Sequence, residues 1–264
     1  MALITNTVGT MQYLTAEEIP VPHCFTTRLG GVSTGHLASL NIGVHRGDAV
    51  QNVAENYRRL GALLGFSPED VVAPHQIHSD LVLQVNDDHR GNLLTEGASA
   101  DCDGLITNTP GIALVVFTAD CTPILFHDPV TGAIGAAHAG WRGTAAGIAA
   151  RTVEAMQNAF GSRPEDIRAA IGPHIGACCF ETDRDVPEAM VAALGDAASP
   201  HIRPVGDKYF VDLTAMNCLF LERAGVTHVE TTPLCTACRQ DLFWSHRRVG
   251  NTRGSQGAVI YKEK

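Results

Sequence analysis

Residues 111–138 carry three short apolar runs, at 111–117, 124–126 and 133–137, cut by segments unsuited to a hydrophobic core. Short apolar runs bounded by turn residues read as buried strands. The interruptions are Thr118-Ala119-Asp120-Cys121-Thr122-Pro123 and His138-Ala139-Gly140-Trp141-Arg142-Gly143. An acid, a thiol, an imidazole and a guanidinium at the ends of core strands mark a site rather than packing. A third segment, Pro74-His75-Gln76-Ile77-His78, adds another imidazole.

The 264 residues are 45% hydrophobic and 18% charged, enough for one substantial core. A net charge of -9 argues against non-specific nucleic-acid binding and against adhesion to anionic membranes. The N-terminus lacks the basic and apolar regions of a secretory signal, and no apolar run approaches the roughly 18 residues of a membrane span. Eight cysteines are too few here for a disulfide scaffold, so the expectation is free thiols in a reducing cytoplasm.

Strands are expected at residues 21–28, 71–78, 81–85, 104–107, 113–118, 124–127, 133–138, 168–171 and 226–230. Helices are expected at 50–64, 144–160, 186–194 and 213–224. Residues 86–100 read as an exposed polar loop, and Ser245-His246-Arg247-Arg248 as a solvated basic loop. Gly65-Phe66-Ser67-Pro68-Glu69-Asp70-Val71 is echoed by Gly161-Ser162-Arg163-Pro164-Glu165-Asp166-Ile167, an offset that sets His78 against His174. The echo fits an internal duplication or a common helix-to-strand connection used twice. No Pro-, Gly- or Ser-rich break divides the chain, which predicts a single domain over residues 1–264.

His78, Cys121 and His138 form a ligand set of the type zinc takes in catalytic sites, with one position left open. Asp120 could orient a ligand or act as an acid–base group. The competing reading is a space-filling Cys121 and structurally satisfied histidines. Cys235 and Cys238 have knuckle spacing, but a closed thiolate site would have to recruit distant cysteines. Adjacent Cys178 and Cys179 look poorly placed to chelate together, so both pairs read as structural. Arg28, followed by Gly30-Gly31, and Arg142 offer planar forks for phosphate oxygens.

Taken together these segments resemble the laccase-domain family, also called polyphenol oxidase or peptidoglycan-editing-factor proteins, of purine nucleoside phosphorylase type. The matching pieces are Thr26-Thr27-Arg28, Gly30-Gly31-Val32-Ser33, Leu40-Asn41, Gly47-Asp48, Gln76-Ile77-His78, Ala100-Asp101, Ala119-Asp120-Cys121-Thr122-Pro123, His138 to Gly143, Ile171-Gly172-Pro173-His174-Ile175, Val211-Asp212-Leu213, Cys235-Thr236 and Phe243 to Arg248. The resemblance implies an α+β (mixed α/β) fold: a layered sandwich of central mixed β-sheets covered by helices. It also implies a zinc held by His78, Cys121 and His138, and a substrate- and phosphate-binding set of Arg28, Asn41, Arg142 and Arg247. Trp244 and His246 depart from the family's late motif, residues 249–257 depart from its ending although Thr252-Arg253-Gly254 can substitute, and Cys238 has no counterpart.

The leading expectation is phosphorolysis of adenosine, inosine or 5′-methylthioadenosine to a free base and ribose 1-phosphate or its methylthio analogue. An oxocarbenium-like ribose needs an anionic phosphate beside it, for which Arg28 is the first candidate, and the leaving purine needs a proton or an electrophile. Adenosine deamination by metal-activated water at purine C6 is an implied second activity. Two rivals use the same residues: a copper-dependent polyphenol oxidase, and a cysteine hydrolase or amidase editing peptidoglycan precursors with Cys121 as nucleophile and His138 as base. The oxidase lacks the paired His-x-His motifs of a multicopper cluster, since none of the twelve histidines lies two residues from another.

Overall fold

The computed structural model describes residues 2–91, 93–94 and 100–264. In chain order the elements are β1 (Ile4–Val8), β2 (Met11–Thr15), β3 (His23–Thr26), α1 (Val50–Leu64), β4 (Val71–Val72), β5 (Val82–Gln84), β6 (Gly104–Thr107), β7 (Ile112–Thr118), β8 (Thr122–His127), β9 (Ile134–Ala139), α2 (Trp141–Ala145) and α3 (Ile148–Phe160). There follow β10 (Arg168–Ile171), β11 (Glu181–Thr182), α4 (Asp185–Leu194), β12 (Ile202–Val205), β13 (Lys208–Val211), α5 (Leu213–Arg223), β14 (His228–Glu230), α6 (His246–Val249) and β15 (Gln256–Lys262).

Two mixed six-stranded sheets run β1-β2-β3-β15-β7-β4 and β14-β10-β8-β9-β6-β5, and a small antiparallel sheet runs β11-β13-β12. The apolar runs seen in the sequence become β7, β8 and β9, and side-chain alternation explains why they are apolar on both faces. Ile112, Leu114 and Val116 of β7 meet Leu125 of β8 and Ile134 and Ala136 of β9 in a core shared by the two large sheets. Ala113 and Val115 point the other way, onto Val53, Tyr57, Leu60 and Leu64 of α1. Ile124 and Phe126 likewise face Ile148, Val153 and Met156 of α3. The result is helix, sheet, sheet, helix, the expected layered α+β sandwich. Each fully buried Val, Leu, Ile, Phe or Met side chain of these layers contributes roughly 1.5–3 kcal/mol.

The helix expected at 144–160 is two helices. Gly147 stands between them with φ +83°, a left-handed conformation that ends α2 before α3 begins. The strand expected at 71–78 stops at Val72, and the chain beyond Pro74 turns into the site. Ser245–Arg248 is no free loop, because His246 opens α6. The β1–β2 hairpin, β12, β13 and β15 were not expected, and β15 is central, pairing along its length with β7. Of the loop expected over residues 86–100, residues 92 and 95–99 lie outside the described residues; Asn86 caps a one-turn 3-10 helix, Asp87–His89. Both copies of the echoed segment form a 3-10 turn leading to a strand. Among the described residues no helix is long and apolar enough to cross a membrane.

Candidate functional site

Strand register assembles the site. Pro123 pairs with His138 across the antiparallel β8–β9 pair, so Cys121, just before β8, lies at the end where His138 closes β9. On the other side of β9, Gly104 of β6 pairs with Ala137, which sets Asp103 beside His138. Asp103 is fully buried, and its Oδ1 lies 2.8 Å from His138 Nδ1. The same carboxylate accepts the backbone N–H groups of Ile77 (3.2 Å), His78 (3.1 Å) and Ser79 (2.6 Å) and the Ser79 hydroxyl (2.8 Å). These bonds hold His78 at φ +62°, unusual for a residue with a side chain. From below, the Gln76 side chain clamps the backbone of Phe117 with bonds of 2.8 and 2.7 Å.

The metal-binding atoms of His78, Cys121 and His138 all lie within 4.8 Å of one another. The two imidazoles meet edge to face with ring centroids 4.9 Å apart. Because Asp103 occupies His138 Nδ1, Nε2 is left for an ion. Burial pushes the His138 imidazole down, but Cys121 and Asp103 outweigh it and hold the group up at about 9. Burial also pushes the Asp103 carboxyl up, and its bonds to His138 and Ser79 reverse that, holding it at about 2. His78 is lowered by burial and by His138. The space between the ligands is reserved by Gly140: a Cβ there would lie 2.3 Å from His78 Nδ1 and 3.4 Å from Cys121 Sγ. Two nitrogens and one sulfur around such a hollow suit zinc or copper.

Two hollows, of about 270 and 370 Å³, flank the trio, and His78, Ala119, Cys121 and Arg253 border both. The first is mixed, with His45, Arg46, His75 and Gln76 beside Val44, Leu93 and Phe117. The second carries Trp141, Ile175, Phe180 and Leu213. Arg142 and Arg247 line the second hollow, Arg142 stacked over Trp141 at 4.2 Å. Arg247 already donates to the carbonyls of Cys179 and Glu181, at 2.9 Å each.

Arg28 and Asn41 of the expected set border neither of these hollows. Arg28 donates to Ala38 O (3.0 and 2.8 Å) and Gln240 O (3.1 Å) and lies over the Trp244 ring. Asn41 is fully buried and braces Gly43, Asp48 and Ser255. Asp120, at φ +92°, accepts from Thr236 Oγ1 (2.6 Å), Ser245 Oγ (2.9 Å) and Arg247 N (2.6 Å). Its oxygens are thus occupied in anchoring the start of α6. His174, aligned with His78 by the echo, is buried against Gly172 O and Thr214 and takes no part in the trio.

Asp103 is the principal residue that sequence reasoning passed over, while Arg253 was named only as part of a substitute for the family's ending. Asp103 lay two positions past the noted Ala100-Asp101, where an acid entering an apolar strand was the available signal. The Arg253 Nε is buried without a hydrogen-bond partner, and burial and Arg46 lower its pKa to about 10. The two cysteine pairs expected to be separate structural features instead form one cluster.

The family model described as "Multi-copper polyphenol oxidoreductase laccase" matches residues 22–263. The chain belongs to this family. The laccase-domain chain is 41% identical over 240 residues to "Purine nucleoside phosphorylase YlmD" of Geobacillus stearothermophilus, covering 89% of this chain and 88% of that protein. It is 37% identical over 255 residues to "Purine nucleoside phosphorylase YfiH" of Escherichia coli, covering 95% and 99%. The crystal structure of YlmD from Geobacillus stearothermophilus superposes with a TM-score of 0.92 at 37% identity over 98% of both chains. That of the Bacillus licheniformis hypothetical protein YfiH gives 0.92 at 34% identity, covering 98% of this chain and 99% of that one.

Proposed function

We propose that this chain is a metal-dependent purine nucleoside phosphorylase, with zinc as the ion and adenosine, inosine and 5′-methylthioadenosine as candidate substrates. The observation that carries this reading is the convergence of His78, Cys121 and His138 between two hollows that both carry arginine, one of them also lined by Trp141 and Phe180. The names of the relatives point the same way. An ion held by the trio supplies a Lewis acid beside the bound nucleoside.

The remaining work falls to side chains. Arg253 and Arg46 hold phosphate in the first hollow, where the unpartnered Nε of Arg253 offers a donor. Phe180, Trp141, Ile175 and Leu213 receive the purine in the second. The shared edge at Cys121 then lies where the phosphate oxygen meets the anomeric carbon. Positioning and electrostatics lower the barrier as ribose becomes oxocarbenium-like. Asp103 positions His138 and His78, and Asp120 positions Arg247 through its backbone N–H. Deamination of adenosine in the same hollow is a second activity of this proposal. We place the enzyme in the cytoplasm, where thiols stay reduced.

The test is product analysis with adenosine, with and without phosphate. The expected products are adenine, ribose 1-phosphate and some inosine, with nearly none from Cys121→Ala. Unchanged turnover by that variant removes the site assignment. Phenol oxidation that appears only on copper loading, without nucleoside turnover, favours the oxidase reading, and cleavage of a peptidoglycan-precursor peptide that survives chelation favours a thiol hydrolase.

A further inference from the structure

The second cluster lies apart from the trio in composition. Cys178, Cys179, Cys235 and Cys238 come from two loops about 60 residues apart, and their sulfurs all lie within 4.8 Å of one another. The spacing between them is informative. A tetrahedral zinc with Zn–S bonds of about 2.3 Å has sulfur–sulfur edges of about 3.8 Å. Here Cys178 Sγ is 3.8 Å from Cys179 Sγ and 3.7 Å from Cys238 Sγ, and Cys179 Sγ is 3.4 Å from Cys238 Sγ.

The backbone is shaped to present these sulfurs. The Cys-x-x-Cys segment folds into a turn in which Cys238 N and Arg239 N donate to Cys235 O, at 3.2 and 3.0 Å. Opposite it, Cys179 N and Phe180 N both donate to Gly176 O at 2.9 Å, a turn that carries the other two thiols. Gly176 N donates to Cys235 Sγ at 3.2 Å, a bond that favours a thiolate. Arg248 reaches Cys179 Sγ at 3.7 Å and, through its Nε, Ala237 O at 2.9 Å, setting a positive charge beside the sulfurs.

We propose that Cys178, Cys179, Cys235 and Cys238 form a closed tetrathiolate site for a structural zinc ion. The ion joins the loop at residues 176–181 to the loop at residues 235–239. Those loops carry Phe180, which lines the aromatic hollow, and Thr236, which donates to Asp120. The cross-link therefore braces one wall of the pocket from outside it. Four thiolates leave no open coordination position, so the ion stabilises without taking part in chemistry. This inference stands independently of which ion the trio takes.

The experiment uses the full chain purified in reductant without added metal, with zinc counted per chain and thiols counted after denaturation. In Cys121→Ser, which disables the trio, one zinc equivalent remains. Cys238→Ser in that background removes it and lowers the Tm. Cobalt loaded into Cys121→Ser gives the strong sulfur-to-metal charge transfer and intense d–d bands of a four-thiolate tetrahedral site, a readout that needs no further variant. A folded Cys121→Ser protein with no metal and no such cobalt spectrum overturns the proposal. So does a disulfide between two of these four cysteines, located by peptide mapping of protein purified without reductant.

Discussion

Asp103 joins the two imidazoles of the candidate centre: its Oδ1 lies 2.8 Å from His138 Nδ1 and 3.1 Å from the backbone nitrogen of His78. One buried carboxylate thereby sets the ring of one ligand and the backbone of the other. Replacing it by the isosteric amide keeps its volume but removes the charge and half of the acceptor capacity. Asp103→Asn is expected to weaken metal binding about 10–100-fold, measured by competition with a chelating dye. An affinity within twofold of wild type means that Asp103 does not orient the ligands.

Gly140 sits at φ -63°, where an alanine backbone is relaxed, so any effect of Gly140→Ala comes from its Cβ. That atom lies 2.3 Å from His78 Nδ1, so the imidazole must move. The variant is expected to stay folded by circular dichroism while losing at least about tenfold in metal affinity. Full metal occupancy with unaltered affinity places the His78 ring elsewhere in the working enzyme.

Arg253 and Arg28 separate a phosphate contact from a structural arginine. Arg253→Gln is expected to raise the phosphate KM about tenfold or more, the loss of one charge-assisted contact. Arg28→Gln is expected to leave that KM unchanged and to destabilise the fold by about 1–2 kcal/mol, because its donors serve the carbonyls of Ala38 and Gln240. Steady-state kinetics in varied phosphate, with denaturant melts of both variants, decides between them. The opposite pattern returns the anion site to Arg28.

His127 provides a pH signature at the end of β8 opposite to Cys121. It is buried, its Nδ1 has no hydrogen-bond partner, and burial lowers its pKa to about 4 from the ordinary 6.5. Asp128 opposes this shift, while Lys262, His23 and Arg168 reinforce it. The unfolded chain takes up the proton first, so stability present above pH 6.5 is lost as the pH falls from about 6.5 through 4. The contribution is about 3 kcal/mol. Denaturant melts across this range should show a shallower slope for His127→Gln than for wild type, whatever the variant's stability at neutral pH. Parallel slopes mean that His127 is protonated in the folded protein.

Much of the sandwich was legible locally. Residues 50–64, 104–107 and 168–171 form the expected elements to the residue, because helical periodicity, capping by Gly65 and apolar runs are all local signals. Thr144 to Phe160 misled because a continuous apolar face hid the break at Gly147, where only φ decides. The β1–β2 hairpin went unseen because β1 is largely exposed and neither strand shows a clean apolar alternation.

The chain alone determined the chemistry available: a thiol and two imidazoles at the ends of apolar strands, with arginines at hand. Tertiary structure decided which of these meet. Cys121 approaches His138 because of β8–β9 register, Asp103 approaches it because β6 pairs with β9, and Arg253 rather than Arg28 borders the hollows. It also brought Cys178 to Cys238 across 60 residues. Such meetings depend on strand order and layer packing, which arise from burying apolar area over the whole chain. Side-chain identity can therefore be read residue by residue, whereas convergence exists only once the sheets have stacked.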